Sequence, residues 1–123
     1  MLCLRPPVLT TRSRDGGKSW RAHGQLQNQR TWLIENTLVE RSDGAVLMLF
    51  RTKVGVLWKS VSYDKGVTWA EAVPTSIPNP DSKIHMLRLL SGHLALVRLQ
   101  PLTDTYPWTR NPSPQSPNLN PKP

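Results

Sequence analysis

The apolar positions of this chain fall in short runs that favour β-strands, and no stretch keeps the period of a helix. Large and β-branched residues predict strands over residues 32–40 and 56–61, and residues 45–51 form a continuous apolar strand. A turn at residues 42–44 joins the first strand to the apolar one, because its Asp-Gly pair is a strong hairpin signal. A strand that is apolar on both faces must be covered on both faces. The pattern therefore predicts an all-β fold in which sheets stack against each other.

The strand pattern recurs once more further along the chain. Residues 86–90 and 94–99 form a second predicted hairpin around a Ser-Gly turn. Residues 84–99 are therefore predicted to open another sheet. Between the two strand regions, residues 72–81 are predicted to be a rigid connector, because prolines fix the backbone and remove N–H donors.

Three other segments lack any strand pattern. Residues 1–12 are predicted to be an irregular lead-in, and residues 21–31 are polar and unpatterned, which is typical of a connection. Residues 100–123 are predicted to be a disordered tail, because residues 101–123 hold seven prolines and little that could pack.

One eight-residue pattern, Ser-x-Asp-x-Gly-x-(Ser/Thr)-Trp, occurs at residues 13–20 and again 49 positions later at residues 62–69. Its fixed positions are Ser13, Asp15, Gly17 and Trp20 in the first copy, and Ser62, Asp64, Gly66 and Trp69 in the second. The pattern predicts a rigid turn, in which the carboxylate accepts backbone N–H groups, the glycine takes a positive φ and the tryptophan packs on the sheet beneath. A period of this length is typical of four-stranded propeller blades.

The repeated pattern resembles the Asp box, or BNR repeat, of the sialidase superfamily. That resemblance implies a six-bladed β-propeller, of which residues 13–99 would supply about one and a half to two blades. In the family the box links the third and fourth strands of a blade and lies away from the active site. The eight box residues are therefore expected to be structural.

Residues 35–51 are similar to a sialidase segment in which a glutamate opens one strand and an arginine closes the next. On that resemblance, Glu35 would partner the catalytic tyrosine, and Arg51 would be one of three arginines that bind the substrate carboxylate. The implied reaction is hydrolysis through a covalent tyrosyl intermediate. The alternative interpretation makes Glu35 a surface residue at a strand start and Arg51 a solvated strand end.

The rest of the family's catalytic set has no counterpart in this sequence. Tyr63 lies inside a box, Tyr106 lies in the proline-rich tail, and Asp81 sits in the connector with no motif around it. The chain is therefore expected to be an incomplete propeller without activity alone, whose full-length parent hydrolyses terminal sialic acid or a related glycan. The alternative is a non-catalytic BNR-repeat propeller that serves as a binding or scaffold module.

The predicted partner is a glycan, of the sialic acid type or another anionic sugar, bound by the full-length parent. The net charge of +8 is scattered rather than interleaved with exposed aromatics, which argues against a nucleic-acid partner. The three histidines show no metal spacing and Cys3 is the single cysteine, so no metal and no other cofactor is expected.

Location and assembly are predicted from what the sequence lacks. It shows no apolar run long enough for a membrane span and no signal peptide, which suggests a cytoplasmic protein if its start is natural. Open blade edges are expected to favour aggregation or self-association.

Overall fold

The computed structural model describes residues 6–99, and these residues contain eight β-strands and no helix. The predicted tail at 100–123, including Tyr106, and the first residues of the predicted lead-in lie outside this part of the chain. The strands are β1 Val8–Arg12, β2 Arg21–Leu26, β3 Ile34–Glu40, β4 Val46–Arg51, β5 Val56–Ser62, β6 Val73–Pro78, β7 Ile84–Arg88 and β8 Leu94–Arg98. The prediction of an all-β fold is confirmed. Residues 6–99 also offer no helix of the length and apolarity that crossing a bilayer requires.

The strands form three antiparallel sheets in the order of the chain. The central blade is the four-stranded sheet β3-β4-β5-β6, and it lies between a first hairpin, β1-β2, and a last hairpin, β7-β8. The second Asp-box loop joins β5 to β6, the third and fourth strands of the central blade. The first loop joins β1 to β2, which places that hairpin as the second half of a preceding blade. Residues 6–99 thus contain half a blade, a whole blade and half a blade.

Alternate residues of β4 point to opposite sides of the central blade, and both sides are covered. Met48 and Phe50 are fully buried and pack with Leu26 of the first hairpin. Leu49 faces the other way and packs with Ile84 and Met86 of the last hairpin. This stacking explains why residues 45–51 are apolar without alternation, and it confirms that prediction.

Three of the predicted irregular segments are strands in the structure. Val8–Arg12 is β1 rather than part of an irregular lead-in, and Arg21–Leu26 is β2 rather than a connection. Val73–Pro78 is β6 rather than a connector. The predictions were wrong because these strands lie at sheet edges, where polar side chains are tolerated. Proline is also compatible with an edge strand, since its missing N–H can face away from the ladder.

The last hairpin is fixed to the central blade by hydrogen bonds as well as by packing. The N–H of Met86 in β7 donates to Oγ1 of the buried Thr37 in β3 at 3.0 Å. β7 therefore lies beside β3, and the loop between β6 and β7 is held near the end of β4. That placement brings together the residues of the candidate site.

Candidate functional site

The two Asp-box loops have the same hydrogen-bonded geometry. Oγ of Ser13 accepts the N–H of Gly17 at 2.7 Å, and Oγ of Ser62 accepts the N–H of Gly66 at 2.8 Å. The aspartate of each loop accepts both the N–H and the hydroxyl of the residue four positions later, which is Ser19 in the first loop and Thr68 in the second. The backbone follows the same path, because φ is 70° and 92° at residues 16 and 17 and 62° and 86° at residues 65 and 66.

These hydrogen bonds keep both box aspartates ionised. Hydrogen bonds from Ser19 and Ser13 lower the pKa of Asp15 from its ordinary value of 3.8 to about 2. Hydrogen bonds from Thr68 and Ser62 lower the pKa of Asp64 still further. A carboxylate whose two oxygens both accept hydrogen bonds from its own loop, and whose pKa is lowered, is a poor general acid or base. The box residues therefore serve the turn.

The two box tryptophans differ in their packing. Trp69 packs against the buried cluster between the first hairpin and the central blade, and its Nε1 donates to Oγ1 of Thr10. Trp20 is 62% exposed, and its Nε1 donates to the carbonyl oxygen of Gly17 in its own loop. The prediction that both tryptophans pack on a sheet was wrong for Trp20, because no sheet formed by residues 6–99 covers it.

Arg51 lies between two carboxylates at the opposite end of the central blade from the second box. Its Nη1 donates to Oε2 of Glu35 at 2.7 Å, and its Nε donates to Oδ1 of Asp81 at 2.9 Å. The arginine side chain is 23% exposed, whereas the two acidic side chains are about 40% exposed. The structure thus brings Glu35 and Arg51 into direct contact and adds Asp81, which the sequence did not single out.

Glu35 reaches Arg51 because β3 carries a β-bulge at that point. Ile34 pairs with Arg51 and Thr37 pairs with Leu49, so β3 has one more residue than β4 in this interval. Glu35 adopts a φ of +39°, which is uncommon for a residue with a side chain. Bulges re-aim side chains and are over-represented next to functional sites.

Asp81 is held by the loop that follows β6. The buried Asn79 anchors this loop, because its N–H donates to the carbonyl of Gly55 and its Nδ2 donates to the carbonyl of Ser82. Asp81 also takes a left-handed conformation, with φ of +54°. Strained backbone of this kind persists only where the surrounding structure over-determines it, and it clusters at functional sites.

The two carboxylates raise the pKa of Arg51, the hydrogen bond with Glu35 contributing most and that with Asp81 next. The guanidinium therefore keeps its charge. Within residues 6–99 no acceptor takes the N–H groups of Nη2, so these donors can bind a further acceptor. The arrangement can bind a carboxylate or another planar anion.

The other expected parts of a hydrolytic site are not assembled by the described residues. Tyr63 is 80% exposed and follows Ser62, which pairs with Val46 at the far end of β4 from Arg51. Glu35 therefore has no tyrosine beside it in residues 6–99. The same residues hold no group of three histidine, cysteine or acidic side chains that could bind a metal.

Asp81 is the site residue that sequence reasoning missed. It lies 30 residues from Arg51 along the chain, in a segment that its prolines predicted to be a connector and not part of a site. The one available signal was an acidic residue in a Pro-Asn-Pro-Asp segment between two predicted sheets.

Comparisons with known proteins agree with the all-β fold of residues 6–99. The sequence profile of the BNR repeat-like domain family matches residues 4–110. A search of curated protein sequences finds no match to the chain.

Several solved structures resemble the described fold. A protein of unknown function from Dyadobacter fermentans is 22% identical with a TM-score of 0.62, over 70% of this chain and 24% of that chain. The NanB sialidase from Streptococcus pneumoniae, in a mutant form, is 20% identical with a TM-score of 0.61, over 82% of this chain and 16% of that one. The intramolecular trans-sialidase from Ruminococcus gnavus, solved with oseltamivir carboxylate, is 26% identical with a TM-score of 0.52, over 63% of this chain and 16% of that one. The chain thus spans less than a quarter of the length of these proteins.

Proposed function

Because this chain belongs to the BNR repeat-like domain family and has the fold of part of a sialidase-like propeller, we propose that it supplies part of a glycan-binding site in which Arg51 binds the carboxylate of an anionic sugar. The observation that carries this proposal is the position of Arg51 between Glu35 and Asp81. The full-length parent would hydrolyse terminal sialic acid or a related glycan.

The first support comes from the donors that Arg51 retains. Its Nε and one N–H of Nη1 are taken by the two carboxylates, which leaves the edge formed by Nη1 and Nη2 for a ligand. A guanidinium edge matches a carboxylate with two parallel hydrogen bonds. Arginine is therefore better suited to this position than lysine, which offers a point charge.

The second support is that Arg51 is held in place before a ligand arrives. Hydrogen bonds on two sides restrict the rotation of its side chain, and both acidic partners are fixed by left-handed backbone. Less side-chain entropy is then lost when the ligand binds. The Ruminococcus gnavus trans-sialidase was solved with a ligand named as a carboxylate, which agrees with this ligand chemistry.

Two carboxylates around one arginine leave a local formal charge of −1, which weakens the attraction of a single Arg51 for an anion. Further cations from the rest of a propeller would be needed for tight binding. Glu35, without a tyrosine beside it in residues 6–99, serves here to orient Arg51, so the isolated chain is expected to bind weakly and to hydrolyse nothing.

The experiment measures the binding of free sialic acid to the full chain by saturation-transfer NMR. We expect a weak signal from wild type, and a loss of at least about tenfold in affinity for Arg51→Lys, because lysine cannot present a planar edge. Asp81→Asn is expected to weaken binding less, because it loosens the arginine and removes a repelling charge at the same time. Arg88→Lys is the matched control, since Arg88 donates only to the backbone carbonyls of Glu40 and Arg41.

Equal binding by wild type and Arg51→Lys, with Arg88→Lys unchanged, would contradict the role of Arg51 and favour a BNR-repeat scaffold without a carboxylate site. Incubation with a fluorogenic sialoside provides a separate check. Clear turnover by the purified chain would show that the expectation of inactivity is wrong.

A further inference from the structure

A basic depression lies on the first hairpin, remote from Arg51. Its volume is about 300 Å³, and it is lined by Arg12, Arg14, Ser19, Arg21 and His23. Arg12 and His23 are half-buried, whereas the two other arginines are exposed. The depression therefore combines a concave shape with three permanent positive charges.

Two of these arginines face each other across the hairpin. Arg12 in β1 pairs directly with Arg21 in β2, and Thr10 pairs with His23 one step further along the same face. Like charges directly opposite each other on a sheet are destabilising. None of the three arginines forms an ion pair with any carboxylate of residues 6–99. An anion between Arg12 and Arg21 would remove this repulsion.

The carboxylate of the loop that joins β1 to β2 is already engaged. Asp15 accepts hydrogen bonds from Ser13 and from the N–H and hydroxyl of Ser19, and these bonds use both of its oxygens. Counting its charge against Arg12, Arg14, Lys18 and Arg21, the hairpin end at residues 12–21 keeps a formal charge of +3 (4 − 1).

The second Asp-box loop serves as an internal control. The two loops share their backbone geometry, so the box itself does not require basic residues around it. Positions 49 residues after Arg12, Arg14, Arg21 and His23 hold uncharged side chains, namely Val61, Tyr63, Ala70 and Ala72. These four basic side chains are therefore particular to the first hairpin, and turn formation does not account for them.

We propose that this depression binds a multiply charged oxyanion, a phosphate or sulfate group, between Arg12 and Arg21 with Arg14 as a third donor. Guanidinium groups suit this chemistry because their planar forks donate paired hydrogen bonds to tetrahedral oxyanions. His23 adds a ring nitrogen on the same face. The box loop holds the ends of β1 and β2 together, so the two arginines are positioned before the anion arrives.

The site is independent of the proposed glycan site. Thr10, on the same face as Arg12, donates to the carbonyl of Gly66 in the second box loop. The depression thus lies toward the box end of the central blade, whereas Arg51 lies at the other end of β4. Neither proposal depends on the outcome of the other.

Calorimetric titration of the full chain with inorganic sulfate and inorganic phosphate, at constant ionic strength set with chloride, tests the site. We expect binding of either oxyanion above the chloride background, and a loss of at least about tenfold in affinity for the double variant R12Q/R21Q. The matched control is the double variant K59Q/K83Q, which removes the same charge from exposed residues outside the first hairpin. Methyl phosphate and methyl sulfate distinguish the two sources of the oxyanion. Retained affinity for these esters indicates a group carried on a larger molecule, whereas lost affinity indicates a free ion.

An equal loss of affinity in R12Q/R21Q and K59Q/K83Q would overturn the proposal, because it would show general attraction to a basic chain. Binding of sulfate and phosphate that is no stronger than binding of chloride would also overturn the proposal. Arginine modification by phenylglyoxal, read by mass spectrometry on wild type, avoids any folding defect of the variants. Sulfate should protect Arg12 and Arg21 more than Arg30, and uniform protection contradicts the site.

Discussion

At the scale of single residues, the backbone around each aspartate decides what its carboxylate does. Asp15 and Asp64 are enclosed by their loops and stabilise turns, whereas Asp81 is turned outward by a left-handed backbone and binds Arg51. The first role could be predicted from sequence, because every partner lies within four residues of the aspartate. The second could not, since it depends on a contact 30 residues away.

The box aspartates predict how stability changes in acid. The pKa of Asp15 falls from 3.8 to about 2 on folding, and that of Asp64 falls further, so both bind fewer protons when folded. A lowered pKa stabilises the fold above the unfolded value, and this stabilisation is lost as pH falls through the folded value. The thermal midpoint should therefore not respond to these groups above about pH 5 and should drop between about pH 4 and pH 2.

Asp64→Asn tests which group is responsible. The variant should have a lower thermal midpoint than wild type at pH 7, and its midpoint should fall less steeply below pH 4. Glu71→Gln is the control, since Glu71 is exposed and forms no hydrogen bond or ion pair within residues 6–99. A decline in Asp64→Asn as steep as that of wild type would mean that other carboxylates cause the acid sensitivity.

At the scale of elements, the strands rich in apolar residues were predictable, whereas three edge strands, β1, β2 and β6, were not. β4 and β5 could be read from their apolar residues, because they are covered on one or both faces. β1, β2 and β6 are stabilised by backbone pairing along a neighbour, which leaves little trace in side-chain polarity. The bulge at Glu35 was equally hidden, since nothing in the residue order marks an added residue in a ladder.

The contact between the first hairpin and the central blade can be tested at Gly24. This residue has a φ of +61°, and a Cβ added there would lie 2.6 Å from Cδ1 of Trp69. Gly24→Ala should therefore combine backbone strain with a clash and destabilise the fold by about 2–4 kcal/mol. Denaturant unfolding measures this difference.

Gly55→Ala is the matched control for that experiment. Gly55 has a φ of +81°, but the space that an added methyl group would occupy is open, so alanine brings strain alone, about 1–2 kcal/mol. Similar losses in the free energy of unfolding for the two variants would mean that Trp69 does not pack on Gly24.

At the scale of the whole molecule, the arrangement of half, whole and half blades follows from the two box loops. The period of 49 residues and the resemblance to the Asp box predicted a partial propeller, and the sialidase-like fold is confirmed. The outer face of the last hairpin carries exposed apolar side chains, including Leu87 and Val97. Self-association through such surfaces stays a prediction, as do the limits of the segments at either end of the chain.

Amide hydrogen exchange of the full chain, resolved along the sequence, tests the stacking of the two hairpins on the central blade most directly. If the central blade is covered on both faces, the amides of β4 and β5 will exchange more slowly than all others, and those of β1 and β8 will exchange fastest among the strands. Exchange in β4 as fast as in β8 would contradict the stacked arrangement, and with it the meeting of Glu35, Arg51 and Asp81 at the end of the blade.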